Sequence, residues 1–324
     1  MINLSEKISK AESIGIAGHI HPDGDCIGSC LALYNYILDM CESGNMKKKV
    51  DLYLEAVPRE FEFLKNSDKI HHEYPEMPEY DLFISLDSGS IDRLGDAQKY
   101  FDAAKARISI DHHISNTYFA DDNHVVAEAS STGEVLFELL DEGKIDTAIA
   151  ECLYVAIIHD TGVFKHSNTT EKTMNIAGKL ISKGAKPYEI IDHTFYEKTY
   201  VQNQVLGRCL LESMLLLDGK IIVSSISKYI QNFYGITSAD LSGVIDQLRL
   251  TRGVEVAIFL VEMETQVYKV SMRSNGIVDV SKIAVFFGGG GHIKAAGCTM
   301  TGSLHDVINN LTLGMEHQLN SKED

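Results

Sequence analysis

From Ser13 onward the chain alternates short runs in which nearly every position is apolar with longer segments in which apolar positions recur every three or four residues. SIGIAGHI, KVDLYLEAV, YDLFISLDS and ARISIDHH have the length of strands, whereas CIGSCLALYNYILDM, TGEVLFELLDEG and TAIAECLYVAII have the length and spacing of helices. This alternation predicts an α/β fold built on a doubly wound, mainly parallel sheet, which binds ligands at the carboxyl ends of its strands. Near Lys186 the pattern changes. YEIIDHTFYEKTYVQNQVLGRCLLESM reads as a helical connecting segment, and GKIIVSSI, VEVAIFLVEME and VYKVSMRS read as strands. A helix around SADLSGVIDQLR, a glycine cluster at 288–291 and a final helix from Leu304 complete a second, smaller α/β domain. The predicted division is 1–187, a helical linker over 188–212, and 213–324.

Composition restricts what such a molecule handles. A chain of 324 residues accommodates two domains of about 150 residues each. The formal net charge of −17 disfavours long nucleic acid, because non-specific binding depends on many Lys or Arg contacts to phosphate. A nucleic-acid substrate is therefore expected to be short. None of the six cysteines lies in a C-x-x-C pair, nothing before Ser13 reads as a secretory signal, and no apolar stretch approaches the roughly 18–20 residues of a membrane span. Reduced thiols, a cytoplasmic location and no membrane partner are the expectation.

The candidate chemistry sits where the apolar runs end. His19-Ile-His-Pro-Asp23-Gly-Asp25 follows the first strand and precedes the first long helix, and its proline and glycine force a tight loop on which several side chains converge. A single Asp before a helix is commonly an N-cap. Imidazole with carboxylate, however, suits a divalent ion such as manganese, and with no thiolates nearby a structural zinc site is disfavoured. Asp87 ends YDLFISLDS, Asp111-His112-His113 end ARISIDHH, and Asp160 closes LYVAIIHDTG. Four apolar segments thus end in Asp, or Asp with His, at the edge of one sheet, which capping alone does not explain. His19, Asp23, Asp25, Asp87, His112 and Asp160 supply enough donors for two cations about 3.5–4 Å apart, an arrangement that stabilises the attacking and leaving oxygens of an in-line displacement. His71-His72, with no strand end beside them, carry no such expectation.

In order, spacing and context these segments resemble the DHH phosphoesterase family: HIHPDGDCIGS its opening motif, SLDSGSIDRLG its second, IDHH its name-giving triplet and HDTGVFKHSNTT its fourth. GGGGHIKAAG, after SMRSNGIVDVSKIA, resembles the DHHA1 substrate-binding domain. The resemblance implies a catalytic domain over 1–187 and a substrate-binding domain over 213–324. It implies one ion on His19, Asp23 and Asp87, a second on Asp25, Asp87, His112 and Asp160, with Asp87 bridging, and His113 beside the substrate phosphate as the other catalytic group. Arg273, Gly290, Gly291 and His292 would hold substrate, with Lys294 near them; glycine amides cradle anions well. Mn2+ is the expected cofactor, with Mg2+ as its substitute, and a homodimer is left open. Two positions depart from the family pattern: Cys26 stands where a smaller residue is common, and Lys165 where arginine is frequent, which loses the planar guanidinium fork.

A stand-alone chain of this kind is similar to the bifunctional oligoribonuclease and 3′-phosphoadenosine 5′-phosphate phosphatase group. Both activities break the bond between phosphorus and a ribose 3′-oxygen. A phosphodiesterase for cyclic or linear dinucleotides such as cyclic di-AMP is the second expectation, and a non-catalytic nucleotide sensor a remoter one. A soluble pyrophosphatase and a RecJ-like nuclease for long strands are set aside, the first for want of its C-terminal basic motif and the second for the acidic charge.

Overall fold

The computed structural model describes residues 2–75 and 79–320, and the chain divides into two compact units, Met1–Glu197 and Lys198–Asp324. In the first, α1 (Leu4–Lys10), β1 (Ser13–Ala17), α2 (Gly24–Ser43), β2 (Lys49–Tyr53), β3 (Leu82–Leu86), α3 (Gln98–Ala103), β4 (Arg107–Asp111), β5 (Asp122–Val125), α4 (Thr132–Leu139), α5 (Thr147–Asp160), α6 (Glu171–Ser182) and α7 (Pro187–Ile191) follow in order. The sheet order is β2-β1-β3-β4-β5, and every pair is parallel. Strands buried on both faces need apolar residues at consecutive positions, which is why LFISL and SIGIA read as unbroken runs. Ile14, Ile84 and Ile110 pack with α2, α4 and α5. Phe83 instead packs into an aromatic cluster with Tyr53, Tyr80, Tyr100 and Phe101. The doubly wound α/β class read from the sequence is the one observed.

Two expectations are corrected here. The four acidic ends do not all lie at one sheet edge: Asp160 is the last residue of α5, the helix expected from TAIAECLYVAII, so the sheet supplies three of them and a helix C-terminus the fourth. The expected single connecting helix is interrupted, since α7 runs into a π-turn at Asp192–Tyr196 and the chain is extended at Glu197 before α8 (Tyr200–Leu211) begins. β5 was not foreseen, because its sequence DNHV is a half-exposed edge without apolar alternation.

The second unit continues with β6 (Met214–Leu216), β7 (Ile221–Ile226), α9 (Lys228–Tyr234), α10 (Val244–Arg249), β8 (Val256–Glu264), β9 (Val267–Ser274), α11 (Val280–Phe286), β10 (Gly290–His292), β11 (Ala295–Thr301) and α12 (Leu304–Asn320). Its mixed sheet has the order β10-β11-β9-β8-β7-β6, parallel only between β7 and β8. α8 belongs to this unit, with Val205 and Cys209 packed on Ile222 and Ile226 of β7. The helix expected around SADLSGVIDQLR is split at Gly243, whose φ of 80° lies in the left-handed region, so only Val244–Arg249 is α-helical.

Candidate metal centre

An order of 2-1-3-4-5 places β1 and β3 side by side while their onward connections diverge, which opens a crevice at their carboxyl ends. His19 lies two residues beyond β1, Asp87 one beyond β3, and Asp111 ends β4 with His112 and His113 after it. α2 starts from the same crevice. Asp23 is its N-cap, its Oδ1 accepting from the amides of Asp25 and Cys26 at 3.1 Å. Cap and candidate ligand are therefore one residue here, because the same carboxylate oxygen lies 3.7 Å from His19 Nε2.

The fold brings all six sequence-predicted ligands together. His19 Nε2 is 3.4 Å from Asp87 Oδ2, and His112 Nε2 is 3.0 Å from Asp160 Oδ2, 3.7 Å from Asp25 Oδ2 and 3.8 Å from Asp87 Oδ1. Asp87 thus offers one oxygen to the His19 side and the other to the His112 side. Its φ of 56° is left-handed, a conformation Asp tolerates better than most residues, and this turn carries the carboxylate across the strand ends.

Several supporting residues were not singled out from sequence. Asp25 is fully buried and accepts from Thr132 N at 2.7 Å, Gly133 N at 3.0 Å and Ser29 Oγ at 3.1 Å, so the first turn of α4 holds it in place. Thr132 Oγ1 also donates to Asp87 Oδ1 at 2.9 Å. The imidazoles are oriented through their far nitrogens, His19 Nδ1 at 2.8 Å from Ile20 O and His112 Nδ1 at 3.3 Å from Ala129 O, which leaves each Nε2 toward the carboxylates. Asp111 is not among the converging donors. It accepts from His113 Nδ1 at 2.7 Å and from Asn116 Nδ2 at 2.7 Å, and so fixes His113. After Asp160 the backbone is left-handed at Gly162, Val163 and Phe164, unusual for a β-branched residue, and Asn168 Nδ2 ties Asp160 O to Ser130 O. Only the S-T-G-E capping pattern before α4 was a usable sequence signal for these partners.

Crowded carboxylates set the electrostatics. Burial pushes the Asp25 carboxyl well above the usual range, and the neighbouring charges of Asp87, Asp160 and Asp23 push it further. Burial opposes charging of His19 and His112, yet their carboxylate partners outweigh it and raise them to about 11 and about 9. Asp23 is lowered to about 2, burial being outweighed by His19 and the α2 amides. Protons on imidazole are the only positive charge the donors themselves can supply, and a buried set of carboxylate oxygens and imidazole nitrogens fits divalent cations. In metal-free protein the raised histidines stabilise the fold below pH 6.5, and that contribution declines above it, being lost for His112 as pH rises through about 9 and for His19 only as it rises through about 11. Chelator-treated protein is expected to melt at a lower temperature at pH 9.5 than at pH 6.5. Apparent Mn2+ affinity should move the other way, rising by up to about tenfold per pH unit for each imidazole proton displaced. Calorimetry at pH 6, 7 and 8 checks this; an affinity independent of pH would contradict the assignment.

The sequence reading treated the loop as free of thiolates. The fold places a thiol beside it: Cys26 is fully buried, its Sγ lies within 4.8 Å of a His19 ring nitrogen and an Asp87 carboxylate oxygen, and burial together with the Cys30 thiol pushes it well above the usual thiol range.

Arg273, Gly290 and Gly291 of the second unit line one groove of about 640 Å3, together with Lys269, Ser271 and Gly288. His292 and Lys294 are not among its lining residues; His292 is exposed and pairs with Ala295 across the β10–β11 hairpin. The amides of Gly288 and Gly289 cap α11 through Val285 O and Ala284 O, and Gly290 and Gly291 pair with Gly297 and Ala296 across the β10–β11 hairpin. A Cβ at Gly289 would lie 2.2 Å from Gly297 O, so close hairpin packing already demands glycine there.

The model of the DHH family N-terminal domain matches residues 13–157, and the DHHA1 domain model matches residues 218–313. The chain belongs to the DHH–DHHA1 family. This DHH–DHHA1 protein is 29% identical over 303 residues to a Bacillus subtilis protein named bifunctional oligoribonuclease and PAP phosphatase NrnA, covering 92% of each chain. It is also 29% identical over 293 residues to a protein of the same name from Thermus thermophilus, covering 89% of this chain and 84% of that one. An exopolyphosphatase-related protein from Bacteroides fragilis has the same fold, with a TM-score of 0.85 at 24% identity over 99% of this chain and 96% of that one. Among the described residues no helix is long and apolar enough to cross a membrane.

Proposed function

We propose that this protein is a phosphoesterase that hydrolyses short oligoribonucleotides to 5′-mononucleotides and 3′-phosphoadenosine 5′-phosphate to AMP, using two divalent cations, Mn2+ at first choice. The observation that carries the reading is the division of Asp87 between two donor groups, His19 with Asp23 and His112 with Asp25 and Asp160. The names of the relatives agree with it. When bound, a cation pair supplies charge for the phosphoryl oxygens and lowers the pKa of the attacking water.

The chain's own residues supply the rest. Asp111 raises the pKa of His113 through their hydrogen bond, burial opposing it, which favours the charged imidazole with Nδ1 engaged and Nε2 left for substrate. From there His113 can donate a hydrogen bond to a phosphoryl oxygen and a proton to the leaving ribose 3′-oxygen. In the second unit Lys269 and Arg273 give the groove its positive charge, although Arg273 Nε also lies 3.6 Å from Asp246. This suits a terminal phosphate of a short substrate.

His113→Gln is expected to lower kcat by about 10²–10⁴-fold with metal content unchanged, read by steady-state kinetics and metal analysis; loss of bound metal would place His113 among the ligands instead. The reading itself is tested by turnover of di- to pentaribonucleotides, 3′-phosphoadenosine 5′-phosphate and cyclic or linear di-AMP with Mn2+, Mg2+ and no added metal. Release of 5′-mononucleotides and AMP is the expected result. A clear preference for the dinucleotides would make the protein a second-messenger phosphodiesterase, and no turnover of any substrate would leave a nucleotide sensor.

A further inference from the structure

We infer that Cys26 is a metal-contacting residue, so that the cation on the His19 side of the centre meets a mixed nitrogen, oxygen and sulfur donor set and this position accepts thiophilic ions such as Zn2+, Co2+ or Cd2+ as well as Mn2+. The inference rests on the two-cation reading above and adds to it a residue that the N/O ligand set does not contain.

The geometry comes from the first turn of α2. Asp23 caps the helix, Asp25 turns toward α4, and the next residue lies beneath the end of β1. There the imidazole of His19, the thiol of Cys26 and the carboxylate of Asp87 form a group of three different donor types, all buried and mutually within 4.8 Å. The thiol's own contacts are weak ones, to His19 O at 4.0 Å and to the neighbouring Cys30 thiol. A second observation shows how tightly the sulfur is held in that spot: a Cβ at Gly18 would lie 2.1 Å from Cys26 Sγ and 3.2 Å from Cys30 Sγ, so Gly18 leaves the room the two thiols fill. Cys30 lies behind Cys26 and is absent from the donor group.

Sulfur selects softer cations than carboxylate or carbonyl oxygen does, and a coordinating thiol is deprotonated outright. Binding breaks the S–H bond, forms the sulfur–metal bond and releases the proton to solvent. The His112 side, with Asp25 and Asp160, has only nitrogen and oxygen donors and keeps the preference for Mn2+ or Mg2+. The two positions are thereby chemically distinct.

The test is anaerobic titration of the chelator-stripped full chain with Co2+ in the presence of a reductant. Wild type is expected to develop the near-ultraviolet thiolate-to-cobalt absorption, Cys26→Ser to lack it, and Cys30→Ser to keep it. Cd2+ affinity should weaken by at least about tenfold in Cys26→Ser while Mn2+ affinity at the His112 side is unchanged. Cobalt that binds with visible ligand-field bands but no thiolate absorption overturns the sulfur contact and leaves the two-cation reading standing. Failure to bind cobalt or manganese at all overturns both. An absorption that persists in Cys26→Ser assigns the sulfur elsewhere and overturns the inference. Far-ultraviolet circular dichroism of each variant confirms that the spectra compare folded proteins.

Discussion

Asp87→Asn is expected to reduce kcat by at least about 10³-fold, more than loss of any residue that serves only one donor group, because one substitution weakens both cation positions and the charge stabilisation they provide. The fold is expected to survive the change. Asn tolerates the left-handed conformation at this position as well as Asp does, and its carbonyl oxygen still accepts from Thr132 Oγ1. Removing this carboxylate relieves repulsion on Asp25 but also takes a partner from His19 and His112, so the chelated variant should melt close to chelated wild type. The rise in melting temperature on adding Mn2+ should shrink: an ion present at 100 times its Kd contributes about 2.7 kcal/mol. Equal and mild losses for Asp87→Asn, His19→Ala and Asp160→Ala would contradict a shared carboxylate.

Gly28→Ala is expected to destabilise the first unit, although it replaces a helical glycine. Alanine favours a helix over glycine by about 1 kcal/mol, and that gain is opposed by a Cβ placed 2.5 Å from Cys152 O and 2.8 Å from Ala156 N. Both obstacles are backbone atoms of α5, so no rotamer change relieves them and the helices must separate. Overpacking of this kind costs about 1–3 kcal/mol and sometimes more, and a net loss of about 2 kcal/mol lowers the melting temperature of a domain this size by roughly 4–8 °C. Activity should fall too, because α2 carries Asp25 and α5 carries Asp160. Gly178→Ala in α6 is the control: its Cβ would meet nothing within 4 Å, so it should be neutral or stabilising by up to about 1 kcal/mol. Melting of Gly28→Ala at or above wild type would sink the packing argument.

Much of the metal centre was legible because its donors sit at the ends of apolar runs, where a chain leaving a buried sheet must turn and polar side chains can converge. Asp87 and Asp111 are of this kind. Asp160 gave the same signal from a helix, since a helix enclosed by its neighbours is as uniformly apolar as a buried strand. What could not be read are contacts between segments distant in sequence. The amide of Thr132 reaches a carboxylate 107 positions earlier, and nothing in TGEV announces it. The inward course of Cys26 follows from the cap at Asp23 and the absence of a side chain at Gly18, two facts that mean little until the helix is set against β1. The glycine cluster is ambiguous in sequence for a related reason: glycines needed for hairpin packing and for capping α11 look like glycines that bind anions.

The double role of Asp23 bears on how the protein gains and loses its ions. The amides of Asp25 and Cys26 are satisfied by the cap whether or not a cation is present, and α2 is anchored along its length in the main core of the first unit. Loading is therefore separate from folding, unlike small metal-nucleated domains that unravel when stripped. Those two amides should stay protected from hydrogen exchange in the emptied protein, and activity should return when ions are restored without any refolding step. Such a catalyst can be kept idle and intact, switched on by the supply of cation around it.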